Sequence, residues 1–306
     1  MHKPLVEQGR RAVRQPGDAR SPGPHAPIYF FHIPKTGGRT IERYLSSHTS
    51  ERPILKPRRN KAFYAEVFLE QKHLGAAPVD PADPAKPDIA SHFAPFSLIE
   101  ACADDYYKVC FWRHPADWFL SLYNYRHHRN AARIVRNFEF WTFCRSMLRN
   151  PMTEHLLLFC AAVPGIRYFL MSDREKFRTA CSLIDKFDRF EDISKVNEFL
   201  AMLQPHYGGA PQDYNRIEKS KKVLASIDVR MRKKLETRNS VDYYLHQIAL
   251  GRDKRLVVAE AERTLKSVFD LKDLKGLVRL PYFRFKVWVT PFMQFRKPSA
   301  SDPPAT

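Results

Sequence analysis

Large apolar side chains are few in the first 26 residues, which are rich in Arg, Pro and Gly. Such a stretch cannot offset the entropy of ordering and reads as a disordered basic tail. At Pro27 the pattern changes. Ile28-Tyr-Phe-Phe-His-Ile33 is short and mostly apolar, as a strand buried on both faces would be. The turn Pro34-Lys-Thr-Gly-Gly-Arg-Thr40 follows, then a helical pattern with Ile41, Tyr44 and Leu45 on one face. Residues 76–87 form a loop rich in Pro and Asp, and Asp88-Ile-Ala-Ser-His92 reads as a second short strand. The aromatic and β-branched run Tyr106–Trp112 is a third strand, ending at Arg113-His-Pro115. Pro115 suits the first turn of a helix, and Trp118, Phe119, Leu122 and Tyr123 continue it at helical spacing.

Helical periodicity recurs over about 134–149, 152–161, 174–187, 192–203, 229–250 and 253–270, and no internal repeat is visible. Strands alternating with helices and then mostly helix predict an α/β fold. A central parallel sheet is flanked by helices, and the C-terminal half is helix-rich. The organisation expected is a tail over 1–26, one domain over 27–272 and an aromatic and basic segment over 273–306. Within that segment, Leu280–Phe295 interleaves aromatics with Arg284 and Lys286. It reads as packing back onto the domain, with peripheral contact to an anionic membrane as the alternative. The last nine residues read as disordered.

Charge narrows the partners. The 306 residues carry 51 Lys and Arg against 33 Asp and Glu, a formal net charge of +18. An excess of this size predicts an anionic partner without saying which one. No nucleic-acid-binding motif accompanies it. Five cysteines, an odd count without a CxxC, read as reduced apolar side chains and not as a disulfide framework or a zinc site. The N-terminus has no signal-peptide core, and no run of roughly 18 apolar residues occurs. A cytoplasmic protein, at most membrane-peripheral, is expected.

The turn after the first strand is the first chemical signal. A helix N-terminus presents unpaired N–H groups and positive potential to an anion. Gly37 and Gly38 permit close backbone approach, Lys35 adds a mobile cation, and Thr36 and Thr40 add hydroxyl donors. A Walker A loop would place its Lys after the glycines, whereas Lys35 precedes them. The second signal is Arg113, which can grip a phosphate bidentately, with Ser121 eight residues on.

Together, Pro34-Lys-Thr-Gly-Gly38 and the Arg113, Pro115, Ser121, Tyr123 spacing resemble the P-loop-like sulfotransferases. The nearest branch holds the heparan-sulfate 2-O-sulfotransferases and bacterial carbohydrate sulfotransferases. His127 stands where that pattern ends in Arg. Looser echoes are Ser91-His-Phe-Ala-Pro-Phe96, Asn150-Pro-Met-Thr-Glu-His-Leu156 on the acceptor side, and Asn239-Ser-Val-Asp-Tyr-Tyr-Leu245. The resemblance implies a P-loop NTPase-like core and 3′-phosphoadenosine-5′-phosphosulfate (PAPS) as donor, with no metal. The acceptor it implies is a hydroxyl of a carbohydrate or glycoconjugate. It implies Lys35, Thr36, Gly37, Gly38, Arg39 and Thr40 around the 5′-phosphosulfate, and Arg113 and Ser121 on the 3′-phosphate. Lys35 would stabilise the leaving group and His92 would be the general base, while His32 packs under the turn. Two other readings stay open: a P-loop kinase acting on a small molecule, and a non-catalytic polyanion-binding module.

Overall fold

The structure is a computed structural model that describes residues 26–48, 54–55, 88–91, 106–129, 139–161, 163, 165–207 and 224–268. Its elements in chain order are β1 (Ile28–Phe31), α1 (Gly38–His48), β2 (Ile54–Leu55), β3 (Asp88–Ser91) and β4 (Tyr107–Trp112). Next come α2 (Pro115–Arg129), α3 (Phe140–Ser146), and α4 (Pro151–His155), which widens into a π-type turn over Leu156–Cys160. After these follow α5 (Gly165–Leu170), α6 (Asp173–Ile184), β5 (Arg189–Asp192), α7 (Val196–Tyr207), α8 (Val229–Arg238), α9 (Ser240–Ala249) and α10 (Lys254–Thr264). The fold is thus α/β, a parallel sheet flanked by helices, with a helix-rich second half.

The strands lie in the order β2-β3-β1-β4-β5, all parallel. Phe31 faces Ser91 on one side and Cys110 on the other, and Trp112 faces Asp192. Central β1 is completely buried, which is why its sequence is a continuous apolar run and not an alternation. Side chains of successive strand residues leave on opposite faces and build two cores. Ile28, Phe30, Val109 and Phe111 pack with Ile41, Tyr44 and Leu45 of α1 and with Val196, Phe199 and Leu203 of α7. Tyr29, Phe31, Cys110 and Trp112 pack on the other face with Phe119 and Leu122 of α2 and with α6, α9 and α10.

A second junction locks the helical half together. Asn150, in the left-handed region at φ 49°, caps α9 by accepting from the amides of Val241 (3.1 Å) and Asp242 (3.3 Å). Asp242 returns the favour to α4, accepting from the Thr153 amide (2.8 Å), the Met152 amide (3.2 Å) and the Thr153 hydroxyl (2.5 Å). Each carboxylate or amide oxygen thereby satisfies N–H groups that a helix start leaves without partners. Burial pushes the Asp242 carboxyl up to about 7 against the pull of these donors. The 150–156 segment, read as lying on the acceptor side, is mostly buried in this joint: Asn150, Met152, Thr153 and Glu154 are all buried.

Several elements differ from the periodicity, among them the unexpected α5 (Gly165–Leu170), helix ends that fall earlier, and three more. The helix expected over 229–250 is broken at Asn239, whose side chain donates to Leu235 O and accepts from the Asn150 amide (2.8 and 2.9 Å). The helix expected from 192 begins at Val196, after β5 and a short 3₁₀ turn at Ile193–Lys195. The third is β5 itself, polar at three of its four positions, a strand only because β4 offers it a ladder. A capping box, Ser172 with Glu175, fixes the start of α6.

Candidate functional site

α1 packs on one face of the sheet and α2 on the other, yet they leave from neighbouring strands, β1 and β4. This divergence makes the carboxyl ends of those strands the switch point of the sheet, the place where ligands bind in open α/β sheets. Both sequence signals sit there.

The turn after β1 is wound tightly. Lys35 has φ 70° and Gly37 φ 85°. A left-handed conformation is uncommon and strained for a residue such as Lys, and such strain gathers at functional sites. Two groups from the β4–α2 segment clamp it. Arg113 Nη1 donates to the Lys35 carbonyl (3.2 Å), and Trp118 Nε1 donates to the Pro34 carbonyl (2.7 Å). Segments 78 residues apart are therefore one structure.

The positive charges converge. Lys35 Nζ lies 4.2 Å from the centre of the Tyr125 ring, and the Arg39 guanidinium approaches the same ring at 5.8 Å. Trp118 and Tyr125, two turns apart on α2, thus reach the turn from the same helix face. No carboxylate among the described residues pairs with Lys35. Burial, with the charges of Arg39 and Arg113, brings its pKa down from 10.5 to about 8. Burial also lowers that of Arg113, opposed by Asp117 and Asp192. The sequence reading missed Trp118 and Tyr125 as site residues; their seven-residue spacing was the available signal.

Two residues of the turn have packing roles that the sequence does not show. Thr36 points inward: it is completely buried and its hydroxyl donates to Ile33 O (2.8 Å), so it shapes the turn and offers no hydroxyl to an anion. Gly38 is required by packing beneath the turn. A Cβ there would lie 1.9 Å from His32 Nε2, on the ring that fills the space. His32 is buried as expected, stacked on Phe30 (5.4 Å), with Nδ1 2.8 Å from Glu42 Oε1. Gly37 carries the left-handed φ, and an added Cβ would also press on Ile193 at 3.3 Å.

Arg39 is exposed and Thr40 half-exposed, its amide bonded to Gly37 O (3.0 Å) as α1 begins. Ser121 is half-buried on α2, six residues after its first, or about 9 Å along the axis. Ser91, the last residue of β3, pairs with Phe31 at the carboxyl end of β1; His92 lies outside the described residues. So does the 273–306 segment.

Cys110, Cys144, Cys160 and Cys181 are buried thiols, and burial pushes Cys144 and Cys181 up to about 12, which makes them inert. Among the described residues no three His, Cys, Asp or Glu side chains are grouped so as to hold a metal ion, and no helix is long and apolar enough to cross a membrane. A scan against protein-family models finds no match for this chain, and neither does a search of curated proteins.

Proposed function

We propose that the chain is a PAPS-dependent sulfotransferase acting on a hydroxyl of a carbohydrate or glycoconjugate, built on a P-loop NTPase-like core. The observation that carries this reading is the bond from Arg113 Nη1 to the Lys35 carbonyl, which joins the two motif segments at the carboxyl ends of β1 and β4. The donor is highly anionic, and the junction suits it. Burial, with the neighbouring charges of Arg39 and Arg113, depresses the Lys35 ammonium. Phosphate and sulfonate oxygens would supply the missing counter-charge.

When bound, the donor would supply an activated sulfuryl group, the bond from sulfur to the bridging oxygen breaking as 3′,5′-ADP leaves. Lys35 holds its ammonium against charge developing on the bridging oxygen, a preorganised electrostatic contribution. The first amides of α1 and the Thr40 hydroxyl hold the 5′ oxyanions, and Arg113 and Ser121 take the 3′-phosphate. His92 receives the acceptor proton, a role it has from the family resemblance alone.

The test is a melting experiment without metal, followed by transfer. Saturation with 3′,5′-ADP at about 100 times its Kd should stabilise the protein by roughly 2.7 kcal/mol. ATP with Mg²⁺ should do little. Radiolabelled donor should then pass its sulfur to members of a glycan panel. Stabilisation by ATP and Mg²⁺ alone would point to a kinase. Heparin retention without any turnover would point to a polyanion-binding module.

A further inference from the structure

The residue after Arg113 is held on both ring nitrogens. His114 Nδ1 accepts from the Ala116 amide (3.2 Å) and from Arg232 Nη1 (2.9 Å). Two N–H donors at Nδ1 leave the ring proton on Nε2, which donates to Glu236 Oε1 (3.2 Å). Arg232 and Glu236 are one turn apart on α8, so one helix face reaches both sides of the imidazole. Arg232 Nη2 also pairs with Asp117 Oδ1 (2.6 Å) in the first turn of α2. From α9, His246 meets the His114 ring edge-on at 5.1 Å, its Nε2 3.0 Å from Asp192 Oδ2 at the end of β5. The Ser194 amide donates to the other Asp192 oxygen (2.9 Å).

Asp117 and Asp192 are the two carboxylates whose charge bears on Arg113. Both are engaged elsewhere, Asp117 by Arg232 and Asp192 by His246 and Ser194. We infer that His114 is a positioning residue: latched by Arg232 and Glu236, it fixes the β4–α2 turn and keeps Asp117 paired away from Arg113, so that the Arg113 guanidinium stays directed at the Lys35 turn and its anion. This rests on the reading of Arg113 as an anion ligand.

The latch works only with a neutral ring. A proton on Nδ1 would face the Ala116 N–H, the Arg232 cation and the His246 ring, with Asp117 (3.9 Å) and Glu236 as the opposing acids. The Tyr243 ring, 6.2 Å away, completes the surroundings. Burial, then His246 and Arg232, hold the His114 pKa below the usual imidazole value. The latch is therefore closed at neutral pH and opens on acidification below the usual imidazole range.

Calorimetric titration with 3′,5′-ADP from pH 8 to pH 5 tests this in wild type, His114→Ala, His114→Asn, Arg113→Ala and the Arg113→Ala/His114→Ala double variant. Asn keeps an acceptor where Nδ1 sits but does not titrate. At pH 7.5, His114→Ala should bind about tenfold more weakly and His114→Asn within about threefold of wild type. In the Arg113→Ala background, His114→Ala should add nothing, since a positioning residue acts only through the group it positions. Acidification should weaken wild type more steeply than His114→Asn; the ligand's own phosphate titration is common to both. Equal losses in both backgrounds, or identical pH profiles for wild type and His114→Asn, would overturn the inference. If His114→Ala fails to fold, the pH comparison alone decides. If wild type does not bind 3′,5′-ADP, the function proposed above fails, and the ¹⁵Nε resonance of Arg113 then decides. It should move and exchange faster in wild type as pH falls from 7.5 to 5 and not in His114→Asn, which keeps the acceptor and does not titrate; equal behaviour in both would overturn the latch.

Discussion

Among the described residues, two non-glycine residues have a positive φ, and the structure treats them in opposite ways. Asn150 turns the chain into α4, and its side chain is spent at once on the amides of Val241 and Asp242 while Asp242 caps α4 in return. That joint is closed. Lys35 turns the chain toward α1, but its ammonium lies over the face of Tyr125, and its carbonyl is held from outside by Arg113. Positive groups are gathered there without an acid on Lys35. The same backbone device serves stability where the side chain is spent on helix amides, and under the proposed function it leaves a place for a ligand where the charge is not paired.

The sharpest break of this comparison is Lys35→Gly. It removes the ammonium and relieves the left-handed backbone, so turnover should fall by roughly 10²–10³-fold. Melting temperature should hold or rise by about 2 °C. A parallel drop in melting temperature would make the Lys35 turn a structural joint like the other. Next in size, Asp242→Ala strips two amides and a hydroxyl of their acceptor and should destabilise by about 3 kcal/mol in urea unfolding. Asp242→Asn should recover part of that loss, and nucleotide affinity of the folded protein should stay within about twofold. Equal effects on stability and affinity would show that the two regions are coupled.

A smaller loss, about 2 kcal/mol, is expected for Gly38→Ala, because the new Cβ must push the His32 ring aside. Here stability and nucleotide binding should suffer together, since the ring supports the turn from below. The mildest perturbation is pH. Lys35 titrates at about 8 in the fold against 10.5 for an ordinary lysine, so between these values the unfolded chain binds more protons. Stability of the ligand-free protein should rise with pH across that window, and 3′,5′-ADP affinity should fall as the ammonium is lost. Both slopes should vanish in Lys35→Gly; an unchanged slope would assign the titration to another group.

Much of this was legible in the chain. Ile28–Phe31 and Tyr107–Trp112 announce themselves because strands buried on both faces have no polar positions. Gly37 and Pro115 mark where those strands give way to helices, since left-handed backbone and a helix start select those residues. Lys35 and Arg113 could be picked out as candidate anion ligands because each stands at such a transition.

Other features have no local signature. Arg189–Asp192 is a strand only because β4 lies beside it, and Asn239 breaks a periodic helix where its side-chain oxygen accepts from the Asn150 amide. The inward turn of Thr36, the placing of Tyr125 over Lys35 and the grip of α8 on His114 depend on partners brought close by packing, the last across 122 residues. Periodicity and turn chemistry act within a few residues and so are written in the sequence. Hydrogen-bond partners and crowded charges are set by distances through space, and only the tertiary structure decides those.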